Sequence, residues 1–298
     1  MLKNVFIALL LAACSAAWSA VPLRSAHALV LDEATGQVLL EKDAATPAPI
    51  ASMTKLMTAM VVLDAHLSAA EPIRIERDDF DSLKFTRSGV PVGAVVSRED
   101  ALTLALMSSD NHAAAALART YPGGRTAFLQ AVALKIAALG LENTVIEEPT
   151  GLSPNNHATA RDMAKILKAA SVYPEIAAAT SQRHDRIEVN GRQRMFHNTN
   201  GLVGAPGWEI TTSKTGFINE AGRCISMRLE SAGRSILVVL MGATNTSMRT
   251  LDALAIHRWL GTGQDDVEVA AAAPAERRSA GRTASVRKPV RRMVSVQY

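Results

Sequence analysis

The chain has 298 residues, 48% of them hydrophobic and 20% charged, which excludes both a polytopic membrane protein and disorder throughout. Two cysteines exclude a disulfide-dense scaffold and a four-thiolate zinc site, and 3 Trp, 3 Tyr and 6 Phe are too few for an RNA-stacking platform. The net charge of +4 belongs to the C-terminus: residues 270–298 hold seven bases against one acid, Glu276, whereas residues 21–269 hold 24 bases against 27 acids, a body that does not suit nucleic acid.

Residues 1–20 have the layout of an export signal, with Lys3, an apolar run from Val5 to Ala13 and small residues from Cys14 to Ala20. Two processing outcomes stay open. Cleavage near Ala17 or Ala20 would free a soluble protein and is preferred; Leu11-Ala12-Ala13-Cys14 resembles a lipobox, which would acylate Cys14. Either way Cys224 is left alone on an apolar stretch, where a small buried hydrophobe is expected rather than a catalytic thiol.

Ala28–Leu31 and Gln37–Leu40 are strand-length apolar runs around a turn and predict an antiparallel hairpin. Thr54–Leu67, Ser97–Met107, Asn111–Tyr121, Arg125–Leu139 and Ala160–Ala170 carry apolar residues at helical spacing. Ser97 with Asp100 makes a capping start, and Pro122-Gly123-Gly124 separates two helices. Met53, Met57 and Met60 read as core filling. Cys224–Leu229 and Ser235–Met241 predict a second hairpin, and Thr246–Leu260 a closing helix that Arg249 begins as a surface arginine. This pattern predicts an α+β domain over residues 21–262, its first hairpin joined to the C-terminal strands in one antiparallel sheet beside a helical cluster. Residues 263–298 turn to Ala, Pro, Ser and Arg without period and are expected to form a disordered basic tail.

Three short motifs carry chemistry. Ser52-Met53-Thr54-Lys55 puts a hydroxyl and an amine one helical turn apart, the spacing at which a neutral lysine could take a serine proton. Such a motif occurs by chance, as Ser285-Val286-Arg287-Lys288 in the tail shows. What distinguishes the first copy is its company: Ser109-Asp110-Asn111 follows at a predicted helix junction, and Lys214-Thr215-Gly216 follows just before a predicted strand. Alone, the second motif would be a helix cap and the third a polar turn. Histidines 27, 66, 112, 157, 184, 197 and 257 have no metal-binding spacing, and no Gly-x-Ser-x-Gly elbow occurs.

In this order the trio is the known signature of penicillin-binding proteins and class A β-lactamases. The chain resembles the low-molecular-mass penicillin-binding proteins, the serine D-alanyl-D-alanine peptidases, and most of all their D-alanyl-D-alanine endopeptidase branch. The likeness extends to Glu148-Pro149-Thr150-Gly151-Leu152-Ser153, Asn198-Thr199-Asn200 and Lys214-Thr215-Gly216-Phe217. It implies the three-layer transpeptidase fold that these proteins share with β-lactamases, and a periplasmic enzyme acting on peptidoglycan peptides without metal or cofactor. It implies Ser52 as nucleophile, Lys55 as its base, and Ser109 and Asn111 as further catalytic groups. Lys214, Thr215, Gly216 and Phe217 would bind substrate, with Lys214 a cation that keeps Lys55 neutral and the Ser52 and Phe217 N–H groups an oxyanion hole. Class A β-lactamases deacylate with a glutamate in Glu-x-x-Leu-Asn, and no Leu-Asn pair occurs here, so β-lactams are expected to act as covalent inhibitors. The basic tail departs from relatives that end in an amphipathic membrane-anchoring helix, which leaves lipid attachment at Cys14 or peripheral association as the routes to a membrane.

Overall fold

The computed structural model describes residues 21–261; the expected export signal and the expected tail lie outside the described residues. In chain order the strands are β1 (His27–Asp32), β2 (Val38–Lys42), β3 (Ala48–Pro49), β4 (Pro72–Arg74), β5 (Val95–Ser97), β6 (His157–Ala158), β7 (His184–Val189), β8 (Arg192–His197), β9 (Glu209–Ile218), β10 (Gly222–Ser231) and β11 (Arg234–Ala243). The α-helices are α1 (Thr54–Asp64), α2 (Arg98–Leu106), α3 (Asn111–Arg119), α4 (Gly124–Ala138), α5 (Ala160–Ser171), α6 (Pro174–Ser181) and α7 (Thr246–Gly261).

Five strands form one antiparallel sheet in the order β2-β1-β11-β10-β9, so the first hairpin does join the C-terminal strands, and β9 is an outer strand. Strand alternation sorts β11 into two faces. Leu237, Val239 and Met241 enter the core shared with α1 to α6, whereas Ile236, Val238 and Leu240 meet Ala253, Ile256, Trp259 and Leu260 of α7. Helices thus cover both faces, giving the three layers expected. Among the described residues no helix is long and apolar enough to cross a membrane.

In α1 every residue from Thr54 to Val62 is buried, with Met53, Met57 and Met60 at 0% exposure. A helix sealed on all sides is the most rigid support this fold offers, and it carries Lys55 in its first turn. Cys224 is fully buried, and burial pushes its thiol up to about 11, the inert state expected.

The other layer is fastened by one carboxylate. Asp252 of α7, fully buried, accepts the backbone N–H of Arg24 and of Ser25 and the Ser25 hydroxyl at 2.9, 2.6 and 2.7 Å. Asp252→Ala strands those donors, and a loss of about 2–3 kcal/mol is expected in urea unfolding; an unchanged midpoint would show that the start of the domain is held elsewhere.

Candidate active site

Ser52 lies in a 3-10 turn, Ala51–Met53, that leads into α1 and packs against β9. The turn is strained: Ala51 has φ +47°, in a region that a β-carbon disfavours by about 1–2 kcal/mol. It is clamped by the Thr54 hydroxyl, which donates to the Ala51 carbonyl at 2.8 Å, and by two glycines. A β-carbon on Gly151, itself at φ +82°, would stand 1.9 Å from the Ala51 oxygen; one on Gly216 would stand 2.9 Å from the Ile50 oxygen and 3.2 Å from the Ser52 nitrogen. The glycine of Lys-Thr-Gly therefore lets an outer strand lie directly beside Ser52, with the backbone of Phe217 next along it.

Lys55 is 1% exposed, and its Nζ donates to Ser52 Oγ at 2.9 Å, to Asn111 Oδ1 at 2.6 Å and to the Thr150 carbonyl at 2.7 Å. Across the cleft Lys214 Nζ, equally buried, donates to Ser109 Oγ at 2.9 Å and to its neighbour's carbonyl, Thr215, at 3.0 Å. All three motifs thus meet in one place, and each hydroxyl faces an amine. Lys214 sits well inside β9 rather than just before a strand, as the sequence suggested.

The second motif divides its labour. Asp110 is a cap, as the bland reading has it: it accepts Ala113 N–H at 3.0 Å and also holds Ser88 Oγ and Gly89 N–H at 2.7 and 2.8 Å. The residues on either side turn into the cleft. Ser109 is held at φ +60°, a sparsely populated conformation for a residue with a β-carbon, and this aims its hydroxyl at Lys214.

Burial dominates the electrostatics. It pushes the Lys55 amine down to about 8, while the negative charges of Glu148, Asp110 and Asp81 pull the other way. Lys214 lies well below the ordinary amine range, first through burial and then through repulsion by Lys55 and Arg249. The resemblance implies that Lys214 helps keep Lys55 neutral. Burial lowers both amines, and their mutual repulsion disfavours the state in which both are charged.

Several supporting residues lie outside the three motifs. Asp81 accepts the Leu83, Lys84 and Thr86 N–H groups and the Thr86 hydroxyl at 2.6 to 2.9 Å, and Thr86 Oγ1 in turn accepts Asn111 Nδ2 at 2.7 Å, fixing the amide so that its oxygen faces Lys55. Thr199 joins the two walls: its N–H donates to Met107 O at 3.0 Å and its hydroxyl accepts Thr215 Oγ1 at 2.7 Å. Glu148 is consumed as scaffold, its two oxygens accepting the Thr150, Gly151 and Leu152 N–H groups, the Thr150 hydroxyl and Asn156 Nδ2 at 2.5 to 3.0 Å. Arg249 is not the surface residue that its helix position suggested; it is 7% exposed, donates to the Cys224 carbonyl at 3.3 Å and lies near enough to Lys214 to oppose its charge.

Comparison with protein families matches residues 15–245 to the D-alanyl-D-alanine carboxypeptidase family. The chain is 42% identical over 274 residues to a D-alanyl-D-alanine endopeptidase of Pseudomonas aeruginosa, covering 91% of this chain and 88% of the relative. It is 40% identical over 244 residues to a D-alanyl-D-alanine endopeptidase of Escherichia coli, covering 81% and 79%. The crystal structure of the Streptomyces K15 DD-transpeptidase superposes with a TM-score of 0.74 at 25% identity, over 80% of this chain and 97% of that one. A D-alanyl-D-alanine carboxypeptidase from Mycobacterium tuberculosis shares the fold, with a TM-score of 0.72 at 24% identity over 81% and 93%. With most of its length matched and its two hydroxyl–amine pairs facing one another across the cleft, the chain belongs to the D-alanyl-D-alanine carboxypeptidase family of serine hydrolases.

Proposed function

We propose that the protein is an exported serine endopeptidase that opens D-alanyl crosslinks in peptidoglycan peptides, and that Ser52 Oγ attacks the D-alanyl carbonyl to form an ester. The observation that carries the mechanism is the Lys55 Nζ to Ser52 Oγ contact of 2.9 Å inside a buried cleft. The preference for crosslinks is supported by the activities named for the two relatives above.

Lys55 takes the serine proton once its amine is neutral. A substrate carboxylate arriving between Lys214 and Arg249 favours the charged form of Lys214, and that charge loosens the proton on Lys55. The N–H groups of Ser52 and Phe217 stabilise the tetrahedral oxyanion. Ser109, linked to Lys214, returns a proton to the leaving amine as the C–N bond breaks, and water then hydrolyses the ester. β-Lactams acylate the same serine and leave slowly, because the Glu148 oxygens are occupied by donors and do not activate water. Residues 1–20 direct export, and the mass of the mature N-terminus distinguishes cleavage near Ala17 or Ala20 from lipid on Cys14.

Mass analysis of products from defined crosslinked and monomeric muropeptides tests the reading. Cleavage of the dimers is expected; intact dimers beside monomers that lose terminal alanine would make the enzyme a carboxypeptidase. A pH profile tests the base. Only the neutral amine accepts a proton, and its pKa is about 8. Acylation of Ser52 by penicillin should therefore rise about tenfold per unit at acidic pH and flatten once Lys55 is deprotonated. A flat profile across neutrality would remove Lys55 as the base.

A further inference from the structure

Beyond Gly216, β9 ends in a pair of side chains that the reaction above leaves unused. Phe217 is 44% exposed, and the guanidinium of Arg223, its register partner on β10, lies over the ring with Cζ 3.5 Å from the centroid. Stacking of this kind holds the planar fork by its face and leaves the N–H donors at its rim free to bind. Strand alternation puts both residues on the face shared with Thr215 and Ile225, the face on which α7 packs and from which Arg249 reaches the Cys224 carbonyl.

The two guanidiniums are close enough for the charge of Arg223 to oppose that of Arg249. Among the described residues neither has a carboxylate within ion-pair distance. The other described arginines that are buried or half-buried, Arg98, Arg119 and Arg228, each meet an acid. Two neighbouring arginines without an acid, one of them beside the carbonyl of Cys224 and near Lys214, form a site that an anion completes.

We propose that Arg223, braced by Phe217, binds a second carboxylate of the leaving peptide, beyond the one taken by Arg249 and Lys214. This rests on the peptidase reading and deepens it. Release of a single D-alanine presents one carboxylate. A leaving amine that belongs to a second stem peptide presents one beside the amine and another further along its chain, so the arginine pair selects crosslinked substrates.

The test compares kcat/KM for acyl-D-alanyl-D-glutamate and acyl-D-alanyl-D-glutamine, which share shape and main-chain carboxylate and differ in one negative charge. Full-length protein is expected to prefer D-glutamate, and Arg223→Gln to erase about tenfold of that preference, through KM rather than kcat. Arg223→Lys, which keeps the charge and loses the fork, should retain part of it and serves should the glutamine variant not fold. No preference in the unaltered protein, or a preference that both variants keep, overturns the proposal. Crosslinked dimers supply the separate arm. A preference that depends on Arg223, together with uncut dimers, would uphold the second carboxylate site and sink the endopeptidase reading.

Discussion

Replacement of Lys55 by methionine is expected to slow acylation of Ser52 by about 10⁴-fold, the upper range for loss of a general base. Methionine is close in length to the lysine stem and enters a slot that is already 1% exposed, so the cleft keeps its shape. What disappears is the group linking Ser52 Oγ, Asn111 Oδ1 and the Thr150 carbonyl. Three acceptors lose a donor, while a costly buried amine is removed from the helix, and these effects oppose each other, so the variant should fold. Ser52→Ala removes the oxygen that forms the ester and should abolish labelling, with or without Lys55→Met. Stopped-flow labelling with fluorescent penicillin measures each rate. A Lys55→Met enzyme within tenfold of the starting rate would mean that some other group takes the proton.

Gly151→Ala probes the support rather than the chemistry. Its β-carbon would overlap the Ala51 oxygen at 1.9 Å, and the residue needs φ +82°. Backbone cannot yield as a side-chain tip can, so the turn bearing Ser52 must shift. A displacement of about 1 Å at a nucleophile costs on the order of 100-fold in rate, and overpacking with left-handed strain costs about 2–4 kcal/mol in stability. Gly36→Ala is the matched control: its φ is +72° but nothing lies within 4 Å, so only the strain of about 1 kcal/mol remains and acylation should be unaffected. Equal rates for the two alanine variants would show that the serine turn is not braced from this side.

Helices α1 to α5 and α7 and the strands β1, β2, β10 and β11 were legible from helical spacing and apolar runs, whereas α6 was not predicted. Ser97 caps α2 through the Asp100 N–H at 3.0 Å, and α5 begins at Ala160 as its apolar spacing indicates. Legibility failed where burial is polar or comes from distant chain. β9 reads Glu-Ile-Thr-Thr-Ser-Lys-Thr-Gly-Phe-Ile, and its buried Ser213, Lys214 and Thr215 bond to partners from other segments, so no apolar alternation announces the strand. The β7–β8 hairpin had a local signal in Asn190-Gly191, yet its strands carry mainly exposed charged residues and bury little beyond Ile187, Val189 and Phe196. Arg249 was misjudged because a helix start usually faces water, and only the sheet packed over α7 buries it. At the site, the motifs identified which residues meet, while Asp81, Thr86 and the bonds of Glu148 depend on loop conformations that have no period.

The partners in the cleft are far apart along the chain: Lys55 and Asn111 by 56 residues, Ser109 and Lys214 by 105. No early-folding fragment contains a complete set, and pairings of such long range close late and together. A nascent or half-folded molecule therefore carries no hydrolytic power, and its destructive capacity switches on in a single concerted event once the outer strand docks.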